Sequence, residues 1–130
     1  MNQGIFFDGQ LFDAHVFVSD LIRKAKKSIV VIDNYVDETT LLLLSKRNKK
    51  VSCEIHTRLT LSLRSDLGKH NVQYPEIILF SNKLSHDRFL IIDDKMVFHF
   101  GASLKDLGKK CFAFSRMDSL AGEVLGRLSE

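Results

Sequence analysis

Ser28-Ile29-Val30-Val31-Ile32-Asp33 is an unbroken β-branched run with no polar alternation before its last residue. Such a run fits a strand covered on both faces, as in the parallel part of an α/β sheet. The flanking sequence agrees. From Leu11 to Lys27 the apolar residues Leu11, Ala14, Val18, Leu21, Ile22 and Ala25 recur at spacings of three and four, which predicts an amphipathic helix. Ahead of it, Ile5-Phe6-Phe7 closed by Asp8-Gly9 reads as a short strand. Downstream, Asp37-Glu38-Thr39-Thr40 offers capping side chains for a helix over Leu41 to Ser45. A basic segment, Lys46 to Lys50, then leads into Val51 to Thr57, which alternates as a strand. The order strand, helix, strand therefore occurs twice.

A weaker helix over Leu61 to Lys69 leads through Pro75 to a strand over Ile77 to Phe80. Helices then become scarce. His86 to Asp93 and Met96 to Phe100 form two runs separated by Asp94-Lys95, a hairpin arrangement, and Cys111 to Phe114 reads as a further strand. Leu120, Val124 and Leu128 place a helix from Asp118 to the end. The expectation is a single domain over 1–130, an α/β sandwich with a mixed, mostly parallel sheet flanked by helices.

At 130 residues, 45% hydrophobic and 27% charged with one proline, the chain can bury a real core, which excludes disordered, collagen-like and disulfide-stapled classes. No apolar run approaches the roughly 18 residues of a spanning helix. The first residues lack the charged-then-apolar layout of a signal peptide, and Cys53 and Cys111 sit in apolar runs. Buried, reduced thiols in a bacterial, cytoplasmic protein are expected. A net charge of +3 permits phosphate-bearing partners without requiring them. Basic residues cluster at 23–27, at 46–50 and at Lys109-Lys110, each of which taken singly reads as a solvated helix end or turn.

Phosphate-loop, dinucleotide-binding, Cys-x-x-Cys and His-Glu-x-x-His patterns are all missing, so neither a metal nor a cofactor is expected. What remains is Ser85-His86-Asp87-Arg88-Phe89-Leu90-Ile91-Ile92-Asp93, followed by Gly101-Ala102-Ser103. On a strand, His86 and Arg88 share a face, and the returning strand brings Ser103 toward them. A nucleophilic nitrogen, a fixed cation, and hydroxyl and amide donors are the parts that hold a phosphoryl group.

At these residues the chain resembles the phospholipase D superfamily, whose motif reads His-x-Lys-x-x-x-x-Asp followed by Gly-Ser-x-Asn. Here it stands as His86-x-Arg88, four residues, Asp93, seven residues, then Gly101-Ala102-Ser103-Leu104-Lys105. The passage from Ala25 to Tyr35 is similar to the opening unit of such a domain, so most of the chain is covered. The resemblance implies a catalytic set of His86, Arg88 and Asp93. His86 would form a phosphohistidine, Arg88 would take the place of the motif lysine, and Asp93 would support the local geometry. Gly101, Ser103 and Lys105 would face the phosphate. Arg88 for lysine, a spacing one residue longer and Lys105 or Leu104 for asparagine weigh against turnover. Family enzymes use two histidines and the chain carries one motif, so turnover implies a homodimer.

His86-Asp87-Arg88 with the later Gly-x-Ser also resembles noncatalytic relatives. One is the phospholipase D-like domain of certain microtubule-interacting-and-trafficking proteins, which binds phosphoinositide membranes. The other is the C-terminal domain that follows the DNA-binding region of bacterial phage-type regulatory proteins. The expected function is a phosphodiester-binding accessory domain of a DNA-associated protein. The alternatives are a metal-independent, nuclease-like phosphodiesterase acting as a homodimer, and a lipid-headgroup or dimerisation module.

His56 and Asp33-Asn34-Tyr35 fall where parallel strands end and are secondary site candidates. His15 and His70 are expected to face solvent and His99 to make ordinary sheet contacts. The ten phenylalanines are dispersed through apolar runs, and core packing accounts for most of them.

Overall fold

A computed structural model describes residues 2–129. Strand β1 (Gln3–Phe6) precedes helix α1 (Leu11–Lys24); then come β2 (Ser28–Ile32), α2 (Glu38–Leu44), β3 (Ser52–Thr57), α3 (Leu61–Gln73) and β4 (Ile77–Ser81). The second half holds β5 (Arg88–Ile92), β6 (Met96–Phe100), β7 (Phe112–Arg116) and α4 (Ala121–Leu128), with 3-10 turns at Leu104–Asp106 and Asp118–Leu120. One seven-stranded sheet has the order β1-β7-β6-β5-β2-β3-β4. β2, β3 and β4 run parallel, joined by α2 and α3 as crossovers. The other four ladders are antiparallel. The mixed sheet flanked by helices is as expected, but the parallel share is smaller, because β5 returns beside β2 in the opposite sense and the hairpin extends the sheet from there.

The two faces are unequal. Ala14, Val18 and Ile22 of α1, with Leu41, Leu43 and Leu44 of α2 and Leu63 of α3, pack on Ile29, Val31, Cys53, Ile55, Leu90 and Phe98. Phe6, Phe17, Phe98, Phe100, Phe112 and Phe114 form a connected aromatic cluster within this layer, ring centroids 4.5 to 6.4 Å apart. On the other face α4 covers Val30, Ile32, Ile91 and Val97 through Ala121, Val124, Leu125 and Leu128, with Leu84 and Met117 packed beside it. Beyond its reach Ile5, Ile78 and Phe80 stay 55, 51 and 42% exposed.

Several boundaries move for identifiable reasons. α1 stops at Lys24, short of Lys27, because Ala25 turns to extended backbone and the next three amides bind Asp93. α3 runs on to Gln73, and ends where Pro75 holds Tyr74 extended. This longer helix carries His70 into the interior, where it stacks on Tyr74, correcting its solvent-facing assignment. The hairpin turn begins one residue early, with Asp93 and Asp94 both in the left-handed region at φ 57° and 59°. Cys53 is buried, but Cys111 is exposed. Cys111 precedes β7, donates its N–H to the Asp8 carboxylate at 2.6 Å, and leaves Phe112 as the first inward residue.

Candidate functional site

Because β2, β3 and β4 are parallel while β5 runs against them, their C-terminal ends share one sheet edge with the start of β5 and the end of β6. Ile32 stands opposite His56 on one side and Phe89 on the other. One step further, Asp33 emerges between Thr57 and Arg88. Ligands of open α/β sheets bind at this kind of edge.

Asp33 is fully buried. Its carboxylate accepts hydrogen bonds from Ser103 Oγ at 2.8 and 3.1 Å, the Leu104 N–H at 2.9 Å and the Tyr35 N–H at 3.0 Å. These bonds tie the chain leaving β6 to the end of β2. They also fix Ser103, 3% exposed, as a donor to Asp33. The Gly101 N–H donates to the Ala113 carbonyl at 2.9 Å, and Lys105 is half-buried on the following 3-10 turn.

The loop carrying His86 is pinned by Asn82. Its amide N–H donates to Thr57 O at 2.9 Å, and its Nδ2 donates to Asn34 Oδ1 at 2.9 Å and Ser85 O at 2.8 Å. Its Oδ1 accepts from the N–H groups of Leu84 and Ser85 at 3.1 and 3.3 Å. Ser85 Oγ accepts the Asp87 N–H at 2.8 Å, which bends the chain so that β5 starts only at Arg88. The strand alternation expected to set His86 beside Arg88 therefore does not extend back to His86. His86 is exposed in this bend. Asp87 instead lies 3.3 Å from His99 Nε2. Arg88 is half-buried and forms no salt bridge among the described residues, and its Nε, like Thr57 Oγ1, is buried without a hydrogen-bond partner.

Asp93 stands at the far end of β5 from His86. Its carboxylate accepts the N–H groups of Lys27 at 2.7 Å, Lys26 at 2.9 Å and Ser28 at 3.1 Å. Burial opposes its charge, but these amides and the nearby Lys95 outweigh burial and hold its carboxyl below the ordinary carboxylate range. His56, 5% exposed, lies on the α4 face with Nε2 3.0 Å from Glu54 Oε2 and its ring stacked on Phe80 at 4.9 Å. It borders a cleft of about 390 Å³ with Lys83 and Arg127, apart from Arg88. Tyr35 lies under the Arg58 guanidinium at 5.5 Å, and Asn34 meets Asn82. Among the described residues no group of three or more His, Cys, Asp or Glu side chains is placed to hold a metal ion, and no helix is long and apolar enough to cross a membrane.

Asn82 and the Glu54 partner of His56 were not singled out from the sequence. For Asn82 the signal lay in Asn82-Lys83-Leu84-Ser85, since asparagine readily bonds backbone two residues on.

No family model matches the chain, and no curated protein does. Solved structures do. NucT from Helicobacter pylori superposes with a TM-score of 0.66 at 13% identity over 96% of this chain and 91% of that one. Phosphatidylserine synthase from Haemophilus influenzae Rd KW20 gives 0.67 at 17% identity, over 99% of this chain and 36% of that one. TrmBL2, an archaeal chromatin protein with a novel mode of DNA binding, gives 0.63 at 12% identity, over 99% of this chain and 51% of that one. The chain thus spans nearly all of NucT, about half of TrmBL2 and about a third of the synthase. The likeness is one of fold, and the fold is phospholipase D-like: a mixed α/β sheet flanked by helices.

Proposed function

We propose that the chain is a phosphodiester-binding domain that accompanies a DNA-associated activity. The observation that carries this reading is Arg88, a half-buried guanidinium at this sheet edge that forms no salt bridge among the described residues and has a buried, unpaired Nε. Buried polar groups are nearly always satisfied, and an unspent guanidinium fits a phosphate oxygen pair. Ser103 and Gly101 spend their donors internally, so they shape the edge while Arg88, His86 and Lys105 meet the anion. The DNA-binding neighbour TrmBL2 supports the choice of phosphodiester.

A second reading, turnover in a homodimer, is favoured by the placement of the histidines. His86 is exposed, while His56 and His99 each face a carboxylate of their own. A second histidine for the same phosphate would then come from another copy across a two-fold axis. His86 would attack phosphorus and the other His86 would give its proton to the leaving oxygen as the P–O bond breaks. Water would next displace the first imidazole, its proton passing to the second.

Cleavage of bis(p-nitrophenyl) phosphate and of plasmid DNA in excess EDTA, compared with His86→Ala, separates the two. Cleavage lost in the variant establishes the dimeric enzyme. Absence of cleavage, with phosphate binding weakened on the order of tenfold by Arg88→Ala and unchanged by Lys110→Ala, establishes the binding domain. Equal losses in both variants would refute the site.

A further inference from the structure

The cations of this chain are unevenly placed. Residues 23–27 and 46–50 hold eight Lys and Arg and no acidic residue, whereas the chain as a whole has nineteen basic against sixteen acidic. The remaining 120 residues are therefore net acidic by five charges. The fold brings the two segments together. They precede the adjacent parallel strands β2 and β3, and the Ser52 N–H donates to Lys27 O at 3.1 Å, joining them. An open groove of about 600 Å³ runs between them, lined by Arg23, Lys24, Ala25, Lys26, Asn48 and Lys50. This pole lies at the opposite end of β2 from Asp33 and Arg88, roughly 20 Å of strand away.

Not all eight cations are available. Arg23 pairs with Asp20 at 3.7 Å and Lys27 with Asp94 at 3.2 Å. Lys46 donates to Ser19 at 3.0 Å, and Arg47 is buried against the Leu44 and Pro75 carbonyls. Lys24, Lys26, Lys49 and Lys50 are exposed and in no salt bridge among the described residues, and Lys95 is exposed on the neighbouring turn.

The backbone here narrows the choice of ligand. The N–H groups of Lys26, Lys27 and Ser28 would make a small-anion nest, but the Asp93 carboxylate already fills it. What faces out is a set of flexible ammonium groups on a rigid turn. Such a set desolvates no single small anion, and instead matches a polymer of regularly spaced charges through counterion release. We infer that this pole is a second, non-catalytic surface that grips the sugar-phosphate backbone of duplex DNA without reading sequence. The identity of the polymer rests on the DNA-associated reading above; the surface itself does not depend on Arg88.

The test is fluorescence anisotropy with a labelled DNA duplex of arbitrary sequence across a salt series. It compares wild type, Lys24→Glu/Lys26→Glu/Lys50→Glu, a charge-matched control Lys69→Glu/Lys109→Glu/Lys110→Glu, and His86→Ala/Arg88→Ala, with circular dichroism confirming each fold. The pole variant is expected to bind at least ~tenfold more weakly, with a log-affinity against log-salt slope shallower by about 3, near 0.9 per lost contact. The control should keep most of the affinity, and His86→Ala/Arg88→Ala, which removes one cation of the phosphate site, should flatten the slope by no more than about 1. Equal losses in the pole variant and its control would overturn the surface. Loss confined to His86→Ala/Arg88→Ala would overturn it while sparing the phosphate site. Binding to phosphatidylserine vesicles but not to DNA would overturn the nucleic-acid assignment, as would binding to neither.

Discussion

Asp93 holds the position of a motif aspartate, yet its carboxylate is spent on three backbone N–H groups at the end of the sheet away from His86. Its folded carboxyl sits below the unfolded value of about 3.9. The charge therefore stabilises fully above that pH, and its contribution disappears as pH falls through the lowered folded value. Urea unfolding of Asp93→Asn should show a stability deficit at pH 7 that narrows below about pH 4. A deficit unchanged down to pH 2 would assign it to packing instead of charge. Spacing along the chain singled out His86, Arg88 and Ser103 as candidates without showing what they touch. What Ser103 bonds to was not legible, because Asp33 is 70 residues away, and the Asn82 contact to Asn34 spans 48. The strand phase of His86 failed for a local reason, the Ser85 hydroxyl that bends the chain at Asp87.

Among elements, the helices and strands with strong local signals stand close to where periodicity placed them. The capped starts of α2 at Asp37 and α3 at Thr60 show why: one side-chain oxygen on one backbone amide is local information. Strand order is not local. Nothing near Arg88 announces that β5 will lie antiparallel to β2, 57 residues earlier at the Ile32 to Phe89 pairing, so the parallel share was overestimated. The connection from β6 to β7 likewise depends on contact with a distant element. Gly108 has φ +78°, and a Cβ there would collide with Leu11 Cα at the start of α1. Gly108→Ala should cost on the order of 2–4 kcal/mol, combining left-handed strain with a backbone clash. Gly68→Ala in α3, where a Cβ meets nothing within 4 Å, should be neutral or stabilising by up to about 1 kcal/mol. Thermal melts of the pair would check both signs, and similar melting temperatures would remove the special role of Gly108.

At the scale of the molecule, the α/β class and its compact core were legible from composition and alternation. The unequal coverage of the two sheet faces was not, since it depends on one short helix, α4, lying over the centre of the sheet. The same long-range wiring closes the other edge: β1 pairs only with β7, Gln3 with Ser115 and Phe6 with Phe112. A chain stopped at Lys110 should accordingly be cut rapidly by a dilute protease that leaves the full chain intact. Equal resistance would show that the sheet closes without its last strand. During synthesis from the N-terminus the consequence is one of timing. β1 leaves the ribosome well before β7, its neighbour in the sheet, and Phe6 waits with it outside the aromatic cluster until β7 is made. Between the synthesis of these two strands the nascent domain carries an unpaired, apolar strand that is open to aggregation.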